Sequence, residues 1–181
     1  VTTLQGSRRR IGLALLLMAT SFLNSQTACA AGPTAKPQSL PRFSSLKPSR
    51  ANLRSGPGTE YPTVWVYHRE GLPLEIIKEF EGWRQVRDAD GASGWVLQSF
   101  LSGRRTALIE PWEVKPGAPP PQIALMSDDN DKASIVVQVE AGVIANVLSC
   151  NGTWCWVAVE KFKGFVPQKK LWGVYEKEVL K

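Results

Sequence analysis

The side chains that could carry chemistry are few. The chain has one histidine, His68, and three cysteines, Cys29, Cys150 and Cys155. A single histidine rules out a two-histidine metal site, and with no second cysteine pair a zinc site is not expected. A serine nucleophile served by His68 would call for a glycine-flanked elbow, and no such motif is present. Asp88 and Asp90, and Asp128, Asp129 and Asp131, fall in turn-like segments. Paired carboxylates serve acid–base catalysis, but aspartates in such segments more often bond to their own backbone and shape the turn. Gly56-Pro57-Gly58 is followed by neither a lysine nor a helical pattern, so it is not a phosphate loop. The inventory argues against an enzyme, and no cofactor or metal is expected.

Aromatic side chains are the better candidates for contact with a ligand. Seven tryptophans in 181 residues is a high count, and half-exposed rings suit sugars and peptide stems. Tyr61, Trp65 and Tyr67 cluster just after the Gly56-Pro57-Gly58 segment and read as groove residues. Trp83, Trp95 and Trp154 read first as packing residues at the corners of a small fold, with Trp83 kept among the ligand candidates. Arg54 either meets an anionic group or braces the loop that follows it.

The elements that position these residues begin after residue 30. Arg8-Arg9-Arg10, the apolar stretch from Ile11 to about Leu23 and then Ala28-Cys29-Ala30 have the order of a secretory signal peptide over residues 1–30. The arginines partly resemble a twin-arginine signal, and the export route stays open. Gln26 stands where a lipid attachment signal at Cys29 would place leucine. No apolar run reaches the length of a membrane-spanning helix. Removal of that segment takes away three arginines and no acid, so the formal charge falls from +6 to +3. That residual charge gives no argument for nucleic acid as a partner. Removal also leaves Cys150 and Cys155, an even count that in an exported protein reads as a disulfide. Four residues separate the two, the length of a hairpin loop, which sets them opposite each other on paired strands.

The remaining chain repeats itself. Asn52-Leu53-Arg54-Ser55 aligns with Ala124-Leu125-Met126-Ser127, Val64-Trp65-Val66 with Ile135-Val136-Val137, Gly71 with Gly142, Trp83 with Trp154, Val86 with Val157, and Gly94-Trp95-Val96 with Gly164-Phe165-Val166. The offset stays near 71 residues and drifts only at turns, where loops absorb insertions. In this alignment Glu79 and Arg84 stand where the second block has Cys150 and Cys155, so an ion pair is expected in place of the disulfide. The first block reads as short strands at 64–67, 72–80, 83–87 and 94–97, with turns at Glu81-Gly82 and Asp88–Gly91. Short strands and tight turns without helices imply an all-β fold of two tandem small barrels. The expected organisation is a signal peptide over 1–30, a flexible linker over 31–41, a first domain over 42–109, a proline-rich linker over 110–121, a second and divergent domain over 122–175, and a tail over 176–181.

Asn52-Leu53-Arg54-Ser55-Gly56-Pro57-Gly58-Thr59 resembles the opening signature of bacterial SH3 domains. Gly82-Trp83, Val86 and Gly94-Trp95-Val96 follow in that family's order. The second block keeps Gly152-Thr153-Trp154, Val157 and Gly164-Phe165-Val166, but has Ser127-Asp128-Asp129-Asn130 in place of the glycine-proline loop. The resemblance implies two SH3-like barrels joined by the proline-rich linker in a periplasmic or secreted protein. It also implies a non-catalytic binding module for peptidoglycan or another cell-envelope component. The alternative is an envelope protein-interaction or scaffold protein without glycan binding. Fold alone does not settle which.

Overall fold

A computed structural model describes residues 1–3 and 39–181 of the chain. The signal peptide expected over 1–30 lies, apart from its first three residues, outside the described residues, as does the expected linker up to residue 38. Among the described residues there is no α-helix, and no helix long and apolar enough to cross a membrane.

The first barrel is a seven-stranded antiparallel sheet. Its strands are β1 (Arg42–Leu46), β2 (Ala51–Arg54), β3 (Thr63–Tyr67), β4 (Pro73–Phe80), β5 (Trp83–Arg87), β6 (Ser93–Leu97) and β7 (Leu101–Ser102). They are ordered β3-β2-β6-β5-β4-β1-β7. The second barrel repeats that order as β10-β9-β13-β12-β11-β8-β14. Its strands are β8 (Thr106–Ile109), β9 (Gln122–Met126), β10 (Ile135–Glu140), β11 (Ile144–Asn151), β12 (Trp154–Val159), β13 (Phe162–Pro167) and β14 (Leu171–Trp172). A short β15 (Val179–Leu180) adds to β11. Even the irregularities recur. The β4–β5 register slips between Ile76 and Lys78, and the β11–β12 register slips between Val147 and Ser149. Such bulges bend and twist a strand, as closing a small barrel requires.

Each barrel has its own core because alternate residues of its strands point inward. Leu53, Leu74, Val86 and Val96 are fully enclosed in the first, and Leu125, Val157 and Val166 in the second. The glycine of each Gly-aromatic-Val run lets two strands cross closely. A Cβ on Gly94 would sit 2.7 Å from the Arg54 carbonyl oxygen, and one on Gly164 would sit 2.7 Å from Leu125 Cβ.

Two boundaries differ from the sequence expectation. Thr106–Ile109, expected to end the first domain, pairs with β11 and β14 and opens the second barrel. The proline-rich segment 110–121 therefore joins two strands of the second sheet, β8 and β9, and does not separate the barrels. The connection between β7 and β8 is only residues 103–105. The first barrel makes the equivalent of the proline-rich turn with residues 47–50, so 110–121 is a long insertion in the second copy. The C-terminal residues expected as a tail include β15, which pairs Leu180 with Cys150 and Val179 with Asn151.

The barrels pack directly on each other. Thr106 Oγ1 donates to the Gly71 carbonyl oxygen at 2.7 Å, and Arg69 donates to that of Gly142 at 3.2 Å. Phe43 on β1 meets Trp172 edge-on and lies 4.8 Å, centroid to centroid, from the ring of Tyr175. The Tyr175 hydroxyl donates to buried Glu75 on β4 at 3.0 Å. Burial first, and then the Glu75 carboxylate, push the Tyr175 phenol above its ordinary range, so it stays a donor.

Candidate functional site

The loop after β2 explains its own signature. The Tyr61 ring lies against Gly56 so closely that a Cβ there would come within 2.3 Å of it. The Arg54 guanidinium donates to the Thr59 carbonyl at 3.0 Å and the Tyr61 carbonyl at 2.7 Å. Arg54 thus braces the loop. Beside it runs a groove of about 330 Å³ lined by Asn52, Arg54, Thr59, Trp83, Leu97 and Phe100. Trp83 stands opposite Leu97 across the β5–β6 pair. Tyr61 is 41% exposed at the loop surface.

The other candidates lie elsewhere. Trp65, on edge strand β3, is 60% exposed. It lines a second cleft of about 470 Å³ between the barrels, together with His68, Leu72, Leu108 and, from the proline-rich insertion, Pro111 and Val114. Tyr67 borders this cleft but is only 4% exposed, and its hydroxyl donates to Asp88 Oδ2 at 3.1 Å. Burial first, and then Asp88, raise its phenol well above the ordinary range. Tyr67 is therefore a core residue and not an open-faced aromatic: it shares a strand face with Trp65, but it ends β3 opposite buried Ala51 and is enclosed with the first core. Asp88 Oδ1 in turn accepts the backbone N–H groups of Asp90 and Ala92 and builds the turn between β5 and β6. Of the five candidates, Arg54 and Trp83 line the loop groove, Trp65 and Tyr67 border the cleft, and Tyr61 sits on the loop itself.

In the second barrel the equivalent groove is larger, about 560 Å³. Trp154 and Pro167 take the places of Trp83 and Leu97 across the β12–β13 pair. Trp112 from the insertion adds a second indole that is 48% exposed. The groove also takes in Gln168 and the C-terminal segment at Val174, Glu176 and Lys177. Trp112 escaped the sequence reading because it lies in the insertion and has no counterpart in the first copy. Gln168 carries no motif, although Gln98 at the same place in the first copy was a signal for it.

The hairpins above the grooves differ as the alignment implies. Cys150 and Cys155 are cross-strand neighbours joined by a disulfide. Glu79 and Arg84 hold the same register in the first barrel, with Arg84 Nε 3.1 Å from Glu79 Oε1. Arg42 also pairs with Glu79. The hydrogen bond from Arg42 first, helped by Arg84, holds the Glu79 carboxyl below its ordinary value against the effect of partial burial. The second barrel has a parallel pair, in which Arg105 Nη1 and Nη2 donate to the two carboxylate oxygens of Glu178 at 2.8 and 2.9 Å. Burial alone would raise the Glu178 carboxyl. The bonds from Arg105 and from the Tyr175 N–H outweigh it and leave the carboxyl lowered.

Depressed carboxyls link stability to pH. Each contributes stabilisation that is complete above its unfolded value, near 4.5, and is lost as pH falls through the lower folded value. Urea midpoints are expected to drop between pH 7 and pH 3, and to drop less in Glu178→Gln. Equal losses in both proteins would refute the assignment to Glu178.

These features define a class, the small duplicated β-barrel with a loop groove in each copy. The bacterial SH3 domain family matches residues 47–103 and 121–173, more than half of the chain, and the chain belongs to that family. No curated protein matches the chain. Among solved structures it is similar to NlpC1 from Trichomonas vaginalis, at 12% identity and a TM-score of 0.32, over 76% of this chain and 47% of that one. It is similar to NlpC2 from the same organism at 12% identity and a TM-score of 0.32, over 73% of this chain and 48% of that one. An NlpC/P60 family protein from Bacillus cereus gives 11% identity and a TM-score of 0.31, over 71% and 55%. The chain spans about half the length of these structures.

Proposed function

We propose that this protein is an exported, non-catalytic binding module that recognises peptidoglycan through its SH3-like barrels in the periplasm or outside the cell. The observation that carries the reading is the recurrence of one tryptophan-walled groove at the same register in both copies, beside Trp83 and beside Trp154. Peptidoglycan repeats a small unit many times, and two grooves on one body engage such a polymer with more avidity than either alone. Membership of the bacterial SH3 family and a disulfide at Cys150–Cys155 support an oxidising, extracytoplasmic setting. Among the described residues both cysteines are tied in the disulfide and His68 is the single histidine, which supports a binding role.

The test is co-sedimentation with purified insoluble peptidoglycan. The chain is expected in the pellet. Trp83→Ala and Trp154→Ala are each expected to weaken retention about tenfold, as loss of an aromatic anchor does. Complete recovery of the wild-type protein in the supernatant would reject the proposal.

A second reading has its own support. Val64 and Trp65 on β3 are exposed, and so are their counterparts Ile135 and Val136 on β10. Both strands lie at a sheet edge, where an added strand from a partner protein can pair. An envelope scaffold without glycan binding fits that surface, and it is the reading favoured if sedimentation fails.

A further inference from the structure

In the first barrel Arg84 is an internal ligand. Its Nη1 donates to the carbonyl oxygens of Glu81 and Trp83 at 2.9 and 2.8 Å, and its Nη2 donates to Gln98 Oε1 at 2.8 Å. Three acceptors thus form a seat for one guanidinium at the mouth of the β4–β5 hairpin. The second barrel keeps the frame of that seat. Gln168 opens a 3-10 turn after β13 as Gln98 does after β6. Its backbone N–H donates to Thr153 as that of Gln98 donates to Gly82, both at 2.8 Å. The arginine itself is gone, because Cys155 stands at its position and is tied to Cys150.

Two observations set this seat apart from that of the first barrel. Gln168 is 4% exposed, and its Oε1 is buried without a hydrogen-bond partner. The orientation of this amide is set by its nitrogen, which donates to the carbonyl oxygens of Tyr175 and Glu178 at 2.6 and 3.0 Å. An orphaned buried acceptor is costly unless a donor reaches it. The cavity also grows where the arginine is missing. In the first barrel it stops at Trp83 and Leu97. In the second it extends to Gly152, Thr153 and Gln168, the counterparts of the residues around Arg84.

We propose that this cavity is a receptor for a guanidinium group, the side chain of an arginine on a partner polypeptide. The incoming group takes the place that Arg84 fills in the first barrel. A guanidinium matches several fixed acceptors at once through its planar set of N–H donors. The Trp154 and Trp112 indoles that line the cavity offer aromatic faces to the cation. Asp131 and Glu176 supply negative charge on the same lining, which Lys169 and Lys177 share. The guanidinium would take the end of the Trp154 groove at Gly152, Thr153 and Gln168, within the groove proposed for the wall polymer; the inference stands on the Arg84 comparison and does not rest on wall binding.

The experiment is a titration of the oxidised protein with a capped Gly-Arg-Gly tripeptide, followed by the NMR signals of the Trp154 indole and the Gln168 carboxamide. Saturable shifts are expected. The same tripeptide with citrulline, a neutral isostere, is expected to bind about tenfold more weakly, since donors to charged groups differ by roughly that much. The variant Cys150→Glu/Cys155→Arg places an internal arginine and its carboxylate in the second barrel and is expected to abolish the shifts. Trp112→Ala, at an exposed site on the insertion, is expected to weaken binding about threefold. Absence of saturation, equal binding of the citrulline peptide, or undiminished binding by a folded Cys150→Glu/Cys155→Arg protein would each overturn the proposal. If that variant does not fold, the citrulline and Trp112→Ala comparisons decide.

Discussion

Replacing Gly173 by alanine is expected to lower the stability of the protein by about 3 kcal/mol, among the largest effects of any single methyl group in this fold. Gly173 follows β14 with a φ of +129°, a conformation that L side chains rarely adopt. A Cβ there would lie 2.3 Å from the Thr106 carbonyl oxygen and 2.8 Å from Ala107 Cα. Both neighbours are backbone atoms of β8, which is fully buried and pinned by β11 on its other side. Neither can yield without shifting the strand that opens the second barrel. Arg105 also donates to the Gly173 carbonyl oxygen, so displacement would disturb the Arg105–Glu178 pair. Gly82→Ala is the control, because a Cβ there meets nothing within 4 Å, and its effect should stay within about 0.5 kcal/mol. Urea unfolding of the two variants makes the comparison. A Gly173→Ala protein as stable as the parent would show that the C-terminal segment does not pack on β8 in this way.

Arg84→Met should cost a similar amount, about 3 kcal/mol, for a different reason. Methionine keeps much of the aliphatic stem but removes every donor. The carbonyl oxygens of Glu81 and Trp83 and the Gln98 side chain then lose their partner. Glu79 keeps only Arg42. A double-mutant cycle with Glu79→Gln separates the contributions. Coupling between Glu79 and Arg84 should be about 1 kcal/mol, since the carboxylate is partly exposed, leaving most of the loss to the uncharged acceptors. Zero coupling would remove the ion pair as a counterpart of the disulfide. Coupling that accounts for the whole loss would mean that the carbonyl seat contributes nothing.

Much of the first barrel was legible because its strands alternate and its turns carry glycine and aspartate. Val64–Tyr67, Leu72–Phe80, Trp83–Arg87 and Gly94–Leu97 fall within a residue or so of β3 to β6. The opening strands were harder. Arg42–Leu46 includes buried Ser44 and Ser45, whose hydroxyls donate to the carbonyl oxygens of Ser102 and Arg104. Polar residues satisfied inside a fold hide the apolar pattern. Thr106–Ile109 is buried on both faces, so it has no alternation, and it shares no residue pattern with β1. The prolines of 110–121 then drew the boundary to the wrong side of that strand. Site residues were legible as types but not as a place. Arg54, Trp83 and Trp65 are all on surfaces that could meet a ligand, yet only register across β5 and β6 shows which of them share a groove.

The contact of Phe43 with Trp172 and Tyr175 has a consequence for the order of events at birth. Strand β1 is made before the other strands of the two barrels, and its partners on that face, Trp172 and Tyr175, follow about 130 residues later. The first barrel can gather its own core early, but one flank of it stays uncovered until Trp172 and Tyr175 arrive. Contacts this distant in the chain close slowly. A chain stalled or clipped before Tyr175 would expose Phe43 and the Glu75 carboxylate together, a ready handle for quality-control proteases. Covering of Phe43 thus reports that the second barrel has been made through to Tyr175.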